Sequence, residues 1–502
     1  MSDRTDNSQN LLFYRIKSVT KHSMVYGLFD FLGKAGAIIL VPLYAKMLGP
    51  TEYGMLELFT VTGALFLITS VMGFNSALTR YYVTENNEDE KNKIFQTAFL
   101  TTLTVAGVIM VILSLTAPAI SSVFFTIPVY ANYWRILFIT VFSDAATAIL
   151  LALYRSQTKP GLYSSVNFSK LVLTLVLNVL FVGFLRQGVY GVLMGNLIGS
   201  ICGLVLSLVF SAKLIRIRFS WRYLVLLAKF GLPLLVSGFA FFIINSADRY
   251  FLTEYTGLAV LGAYALGYKV GMLMSLAVNA FVVAWLPLMF KIAADSQAKK
   301  TFATVLTYYL FIACAILIAI GSFGHEIVNL MGTPEYSAAS RIIIYVLISY
   351  LFQGAFYIMA TGVFLKDQTK AISLVAGISA VINISANFLL IPTYGIMGAA
   401  VATVISYAFL PIGIYLPSQH YYRINFETHR IFKIILSTVL ILIFNNVIIG
   451  RGNLSLDVTK FALVIFYPTF LLVLGFFTDE EFTRGKIVLK KVVRRFFLFR
   501  TR

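Results

Sequence analysis

The stretch SMVYGLFDFLGKAGAIILVPLYAKMLGPTEYGMLELF, residues 23–59, decides how the rest of the chain is read. It opens with an apolar run broken by Asp30 and Lys34 and, close to its end, by Lys46, passes a short turn at Gly49, Pro50, Thr51 and Glu52, and becomes apolar again. The first run is long enough to cross the ~30 Å hydrocarbon core of a bilayer, which takes about 20 residues of helix. Lipid offers no partner to a bare N–H or C=O, so a crossing segment must close its own hydrogen bonds as a helix. Two such helices on a tight turn make a membrane hairpin.

The same pattern continues outward. About fourteen apolar stretches of spanning length follow one another, at 22–47, 52–79, 93–117, 130–154, 161–184, 188–212, 226–252, 258–290, 301–324, 339–365, 371–391, 396–418, 431–449 and 458–477. Of the 502 residues 59% are hydrophobic and 12% charged, whereas about a quarter are charged in soluble domains. No loop exceeds about thirteen residues, so a large aqueous domain is excluded. The fold expected is an all-α polytopic membrane protein. The polar start through Asn10 leads into a basic segment and an apolar run too long for a signal peptide, so the first helix is expected to stay as an anchor. Cys202 and Cys314 lie inside spans and the four histidines lack ligand spacing, which supports neither a disulfide framework nor a metal site.

The formal charge of +19 bears first on orientation, because cytoplasmic loops of membrane proteins hold Lys and Arg in excess. With both termini in the cytoplasm, thirty of the forty Lys and Arg fall on that side, six fall outside and four lie within spans. At the C-terminal end Lys486, Lys490, Lys491, Arg494 and Arg495 gather on one helix face, opposite Val488, Leu489, Val492, Val493, Phe496 and Phe497. That is the form of an interfacial helix on anionic lipid, and it accounts for the basic tail without nucleic acid.

The chain also repeats itself. Arg155-Ser-Gln-Thr-Lys159 returns 211 residues later as Lys366-Asp-Gln-Thr-Lys370, each at the cytoplasmic mouth of a new span. Asn178 returns as Asn387 after 209 residues, Gly188 and Gly191 as Gly395 and Gly398 after 207, and Gly54 as Gly262 after 208. Small residues recur in any membrane bundle because they let helices approach closely, but a nearly constant offset argues for duplication. The expected organisation is two six-helix lobes in tandem, 1–212 and 226–418, joined by a cytoplasmic linker at 213–225 and followed by two helices at 419–477 and the basic tail at 478–502. Repeats of this kind characterise carriers that hold substrate between the lobes and open to each side in turn.

A charge at mid-membrane costs roughly 3 kcal/mol on insertion scales, so those retained face an aqueous cavity or one another. Here they are Asp30, Lys34, Glu57, Asp144, Lys170, Asp248, Arg249 and Lys269. Four cations balance four anions, which fits a structural network, most of all for Asp144 and Lys170. The functional reading makes Lys34, Arg249, Lys269 and Lys170 the cations of a cavity for a phosphate or sugar-acid group. Asp30, Glu57, Asp144 and Asp248 then balance the charge, and Asp30, Glu57 or Asp248 carries a coupling proton or sodium ion. No cofactor beyond that ion is expected.

Four stretches in this order resemble the polysaccharide and O-antigen flippase family: the opening stretch, GFNSALTRYY at 73–82, ADRYFL at 247–252 and NISANFLLIPTYGIMGAAVATVISY at 383–407. That family is related to the multidrug and toxic-compound exporters and to the lipid II flippases. The resemblance implies a bacterial inner-membrane protein that carries a polyprenyl-diphosphate-linked oligosaccharide to the outer leaflet, its polyprenyl tail remaining in lipid, alongside other polysaccharide-assembly proteins. Arg249 matches the family's Asp-Arg pair directly, whereas Lys34 and Lys269 follow from depth and charge alone. The lipid II branch has further Arg residues in its first two helices that are missing here, which disfavours a peptidoglycan precursor.

Two alternatives stand beside this reading. A proton- or sodium-coupled multidrug antiporter of the same superfamily would need an acidic or aromatic pocket without excess cation. A membrane polymerase or ligase would need an extracytoplasmic loop with acid/base groups, and the external loops at 118–130 and 325–338 are short, with His325 and Glu326 their one such neighbour pair. The chain therefore reads as a transporter rather than an enzyme.

Overall fold

The computed structural model describes residues 36, 38–125, 128–449, 456–478 and 481, and all regular structure among them is helical. The helices are α1 (Val41–Val71), α2 (Phe74–Thr84), α3 (Glu88–Leu115), α4 (Ala117–Phe125), α5 (Ala131–Ser156), α6 (Pro160–Asn178), α7 (Gly188–Ser211), α8 (Trp221–Thr256) and α9 (Leu258–Gly271). They continue with α10 (Leu273–Ile292), α11 (Ala298–Ser322), α12 (Gly324–Met331), α13 (Ile343–Met359), α14 (Thr361–Leu365), α15 (Thr369–Tyr421), α16 (Thr428–Ile449) and α17 (Leu456–Val473). Eleven helical stretches among the described residues are long and apolar enough to cross a membrane.

Glycine punctuates the long ones. Gly49, at φ 70° and ψ 171°, breaks α1 just before Pro50, and Gly395, at φ 53° and ψ −127°, breaks α15, so each holds two helical pieces. The apolar segment expected at 258–290 is likewise divided, into α9 and α10. The stretches read as external loops at 118–130 and 325–338 are largely helical, as α4 and α12. Both are too short for a helical period to stand out from sequence.

The described residues fall into two compact units. The first comprises Met1–Val270, Glu326–Val346 and Ser373–Phe409; the second comprises Gly271–His325, Leu347–Ile372 and Leu410–Arg502. In the first unit, α5 buries Ala145, Ala146, Ile149, Leu150 and Leu153 against α2 and α3, whose Leu78, Phe95 and Ala98 are equally inaccessible. Trp134 closes the other end among Phe59, Phe124, Phe125 and Phe138.

α6 has two characters. Phe168, Val172 and Val176, four residues apart, are exposed as a lipid-facing stripe. On another face Lys170, Thr174 and Asn178 meet Gly203, Gly199 and Gly195 of α7, where a methyl on Gly199 would lie 2.0 Å from the Thr174 hydroxyl. Removing side chains from α7 is what makes room for polar ones on α6. A polar row at the same spacing recurs 209 residues on, meeting Ser406 in place of glycine: Ser379 donates to the Ser406 carbonyl at 2.7 Å, Asn383 to the Ser406 hydroxyl at 3.1 Å, and Asn387 along its own helix to Asn383 at 2.9 Å.

A second correspondence concerns backbone. Gly257, which separates α8 from α9, has φ 87° and ψ 172°, nearly the conformation of Gly49, 208 residues earlier. This region of backbone space is open essentially to glycine alone. Just beyond each break the chain makes a very close crossing. A methyl on Gly54 would fall 1.9 Å from the Leu258 carbonyl oxygen, and one on Gly262 would fall 1.9 Å from that of Pro50. The contact is reciprocal, since Pro50 and Leu258 are themselves 208 apart.

The five-residue echo behaves differently. The left-handed residues Thr158 (φ 52°) and Asp367 (φ 53°), and the helix starts that follow at Pro160 and Thr369, are 209 apart, not 211. Arg155 therefore does not correspond to Lys366 in structure, nor Lys159 to Lys370. All four are exposed, and Arg155 lies over the Tyr163 ring at 5.9 Å.

In the second unit α11 packs on α16 and α17. Arg430 at the start of α16 pairs with Glu427 at 3.0 Å and Glu481 at 2.9 Å, and Thr304 and Thr307 of α11 donate to Glu427.

Candidate functional site

Four of the charges retained inside the helices converge in the first unit. α1 contributes Glu57, α8 contributes Asp248 and Arg249, α9 contributes Lys269, and the part of α15 beyond Gly395 adds Thr403. Glu57 lies three residues beyond Gly54 and Lys269 seven beyond Gly262, so the close glycine crossing is what brings these two side chains together.

Arg249 is the hub. Its Nη1 lies 2.6 Å from Asp248 Oδ1 and its Nε 3.5 Å from Glu57 Oε1, while the guanidinium sits 3.9 Å above the Tyr268 ring and 5.3 Å from that of Tyr264. Asp248 accepts two further bonds, from the Tyr264 hydroxyl and from Thr403 at 3.4 Å. The side chains of Asp248, Arg249 and Glu57 are 1%, 4% and 6% exposed, against 25% for Lys269, whose Nζ is 3.5 Å from Glu57 Oε2. Lys269 is thus the edge of the cluster that remains accessible.

The contacts are of two grades. Arg249 and Asp248 are adjacent on one helix and closely bonded, a pair internal to α8. Both contacts to Glu57 are long, and Arg249 Nε makes no hydrogen bond of good geometry there. A buried charge stripped of its partners is expensive, whereas a long ion pair adds less attraction to be lost. Glu57 is therefore the separable member, and among the described residues it is the one whose ion pairs bridge the first part of the sequence to Arg249 and Lys269.

Lys170, expected among the cavity cations, lies elsewhere. Its ammonium pairs instead with Asp144 of α5, both side chains partly exposed, and its stem lies over Gly203. Asp30 and Lys34, along with the basic C-terminal tail, lie outside the described residues. Arg249, Lys269, Glu57 and Asp248 are brought together as a charge-balanced set, so in this conformation Arg249 is committed to carboxylates and is not an open anion site. A count of charges passes over neutral groups and so misses Tyr264, Tyr268 and Thr403. The four-residue spacing of the two tyrosines, ending beside Lys269, is the signal that was available. Among the described residues no group of three His, Cys, Asp or Glu side chains gathers as a metal site would.

The model of a family described as polysaccharide biosynthesis protein matches residues 43–341. An Lsg locus protein of Haemophilus influenzae is 23% identical over 399 residues, covering 76% of this chain and 95% of its own length. A membrane protein of Methanocaldococcus jannaschii is 24% identical over 432 residues, 78% of this chain and 81% of its own. Among solved structures, the lipid II flippase MurJ in an inward closed conformation superposes with a TM-score of 0.71 at 13% identity, over 90% of this chain and 99% of that one. An inward-facing multidrug resistance transporter of the MATE family gives 0.65 at 14% identity, over 77% and 94%. At such identities the structural likeness speaks for the fold.

Proposed function

From the chain's membership of the polysaccharide biosynthesis protein family, and from its likeness to flippases and exporters, we propose that it is a flippase for a polyprenyl-diphosphate-linked oligosaccharide. The cargo is a repeat unit of a surface polysaccharide such as O-antigen, moved from the cytoplasmic to the outer leaflet of the plasma membrane. The observation that carries this reading is the extent of the likeness: a carrier fold over 90% of the chain, in a family concerned with polysaccharide.

The tandem lobes alternate access, and the cluster at Arg249 is the charge store that alternation would expose. With Glu57 in place the guanidinium and the Lys269 ammonium are neutralised. When the helices bearing Gly54 and Gly262 part, Glu57 leaves with α1, and Arg249 and Lys269 become free to receive a diphosphate. Arg suits the phosphate fork and Lys supplies a mobile point charge. The reciprocal crossing supports this reading, because Glu57 precedes the proposed linker at 213–225 while Arg249 and Lys269 follow it.

A cell lacking the chain is expected to accumulate the lipid-linked glycan in the cytoplasmic leaflet and to lose surface polymer. Purified protein in liposomes should make a fluorescently tagged polyprenyl-diphosphate glycan accessible to an external, membrane-impermeant reagent. Unchanged glycolipid in the deletion strain, with uptake of a cationic dye raised instead, would replace the flippase with the multidrug antiporter that the second likeness favours.

A further inference from the structure

We infer that the segment joining α7 to α8, residues 212–220, together with Trp221 and Arg222 at the start of α8, is a membrane-surface anchor that takes anionic lipid headgroups. The sequence here alternates basic and apolar residues, with Lys213, Arg216, Arg218 and Arg222 interleaved with Ile217, Phe219 and Trp221. Residues 215–220 are not helical, and the backbone turns at Ile217, where the Arg218 amide donates to the Arg216 carbonyl at 3.0 Å. Ile217 is 91% exposed, Phe219 53% and Trp221 70%. Three large apolar side chains held in the open on one short segment call for a partner.

The depth of the segment is fixed by α3. That helix begins with the charged residues Glu88 to Lys93 and becomes apolar at Ile94, so the headgroup boundary falls at its first turns. Gln96, 2% exposed, donates to the Leu214 carbonyl at 2.9 Å, and the hydroxyl of fully buried Thr97 accepts from the Ser220 amide at 3.1 Å. Tyr223 bonds to Glu90, and Arg218 lies 3.8 Å from Asp89. The backbone is thus strapped down at both ends to the level where water meets hydrocarbon, while its apolar side chains remain uncovered.

Charge selects the kind of surface. The acidic residues nearby are Glu85, Glu88, Asp89 and Glu90, of which Glu88 pairs with Lys91, Glu90 with Lys93 and Asp89 with Arg218. Lys213, Arg216 and Arg222 form no ion pair among the described residues. Three cations outside any ion pair among the described residues, of which Arg222 lies over the Tyr223 ring at 5.7 Å, stand beside three exposed apolar side chains and match an anionic bilayer surface, into which the apolar groups dip while the cations meet phosphates.

The molecule carries its own probe. Of its three tryptophans, Trp134 and Trp285 are 0% and 1% exposed, leaving Trp221 as the one in the open. The full chain is reconstituted in nanodiscs of phosphatidylcholine and phosphatidylglycerol, with one or the other lipid brominated near the headgroup end of its acyl chains. The Trp221→Phe variant supplies the background. Brominated phosphatidylglycerol should quench the Trp221 emission roughly twice as strongly as brominated phosphatidylcholine at equal mole fraction, and added salt should erase the difference. Replacing Lys213, Arg216 and Arg222 by Gln should make the two lipids equal while the protein stays monodisperse. Equal quenching of the unmodified chain by both lipids would overturn anionic recognition. Free quenching by aqueous acrylamide with none by either bromolipid would overturn the anchor altogether and point to a cytoplasmic protein partner.

Discussion

Arg249 touches two carboxylates and two aromatic faces, and the distances rank them. The Asp248 contact, at 2.6 Å, joins two side chains almost wholly withdrawn from solvent. Arg249→Ala should therefore leave Asp248 uncompensated and cost about 3–5 kcal/mol, the usual penalty for breaking a buried pair from one side. Glu57→Gln keeps the Asp248 pair and removes only contacts of 3.5 Å, so a smaller loss of about 1–3 kcal/mol is expected. Thermal unfolding of both variants in one detergent measures the order. If Glu57→Gln proved the more damaging, Glu57 would be the principal partner and no longer a separable bridge. Sequence could nominate these residues, since a charge in an apolar run announces itself. It could not pair them, because Glu57 and Arg249 are 192 positions apart and only the folded crossing decides which carboxylate meets which cation.

At the level of helices the glycines do different work, and substitution separates their roles. Gly54→Ala drives a methyl into a backbone carbonyl, which cannot swing aside as a side chain can, so the crossing must open. Overpacking of that kind costs about 1–3 kcal/mol or more. Gly49→Ala meets no atom within 4 Å and pays only for its left-handed backbone, of order 1–3 kcal/mol. Gly161, with open space around it and no left-handed φ, should accept Ala without loss. Melting temperatures ought to leave Gly161→Ala beside the unmodified protein, and transport should suffer most in Gly54→Ala. A Gly54→Ala protein with full stability and full flux would remove the crossing from the mechanism. The two spans around Gly49 were legible because Pro and Gly punctuate an apolar run. The division at Met272, and the short helices α4 and α12, were hidden inside apolar or loop-like composition.

For the whole molecule, the Lys and Arg asymmetry makes a claim about sidedness. Fluorescent-protein fusions at either end should be bright, and alkaline phosphatase fused at the same points should be inactive. Active phosphatase at the C-terminus would invert the orientation and with it the proposed direction of transport. The span pattern was readable at this scale because lipid imposes one rule on every crossing, whereas the compact units join segments distant in sequence. The polar ladders carry a further consequence. In lipid there is little solvent pressure to hold one helix to another, so recognition between neighbours rests on the faces where Lys170, Thr174 and Asn178, and again Ser379, Asn383 and Asn387, find their contacts. A saturation scan of α6 and of the first part of α15 should therefore show intolerance rising and falling with a beat of four residues. The two beats should run in phase when one trace is slid 209 positions along the other, as two copies of a single tune would.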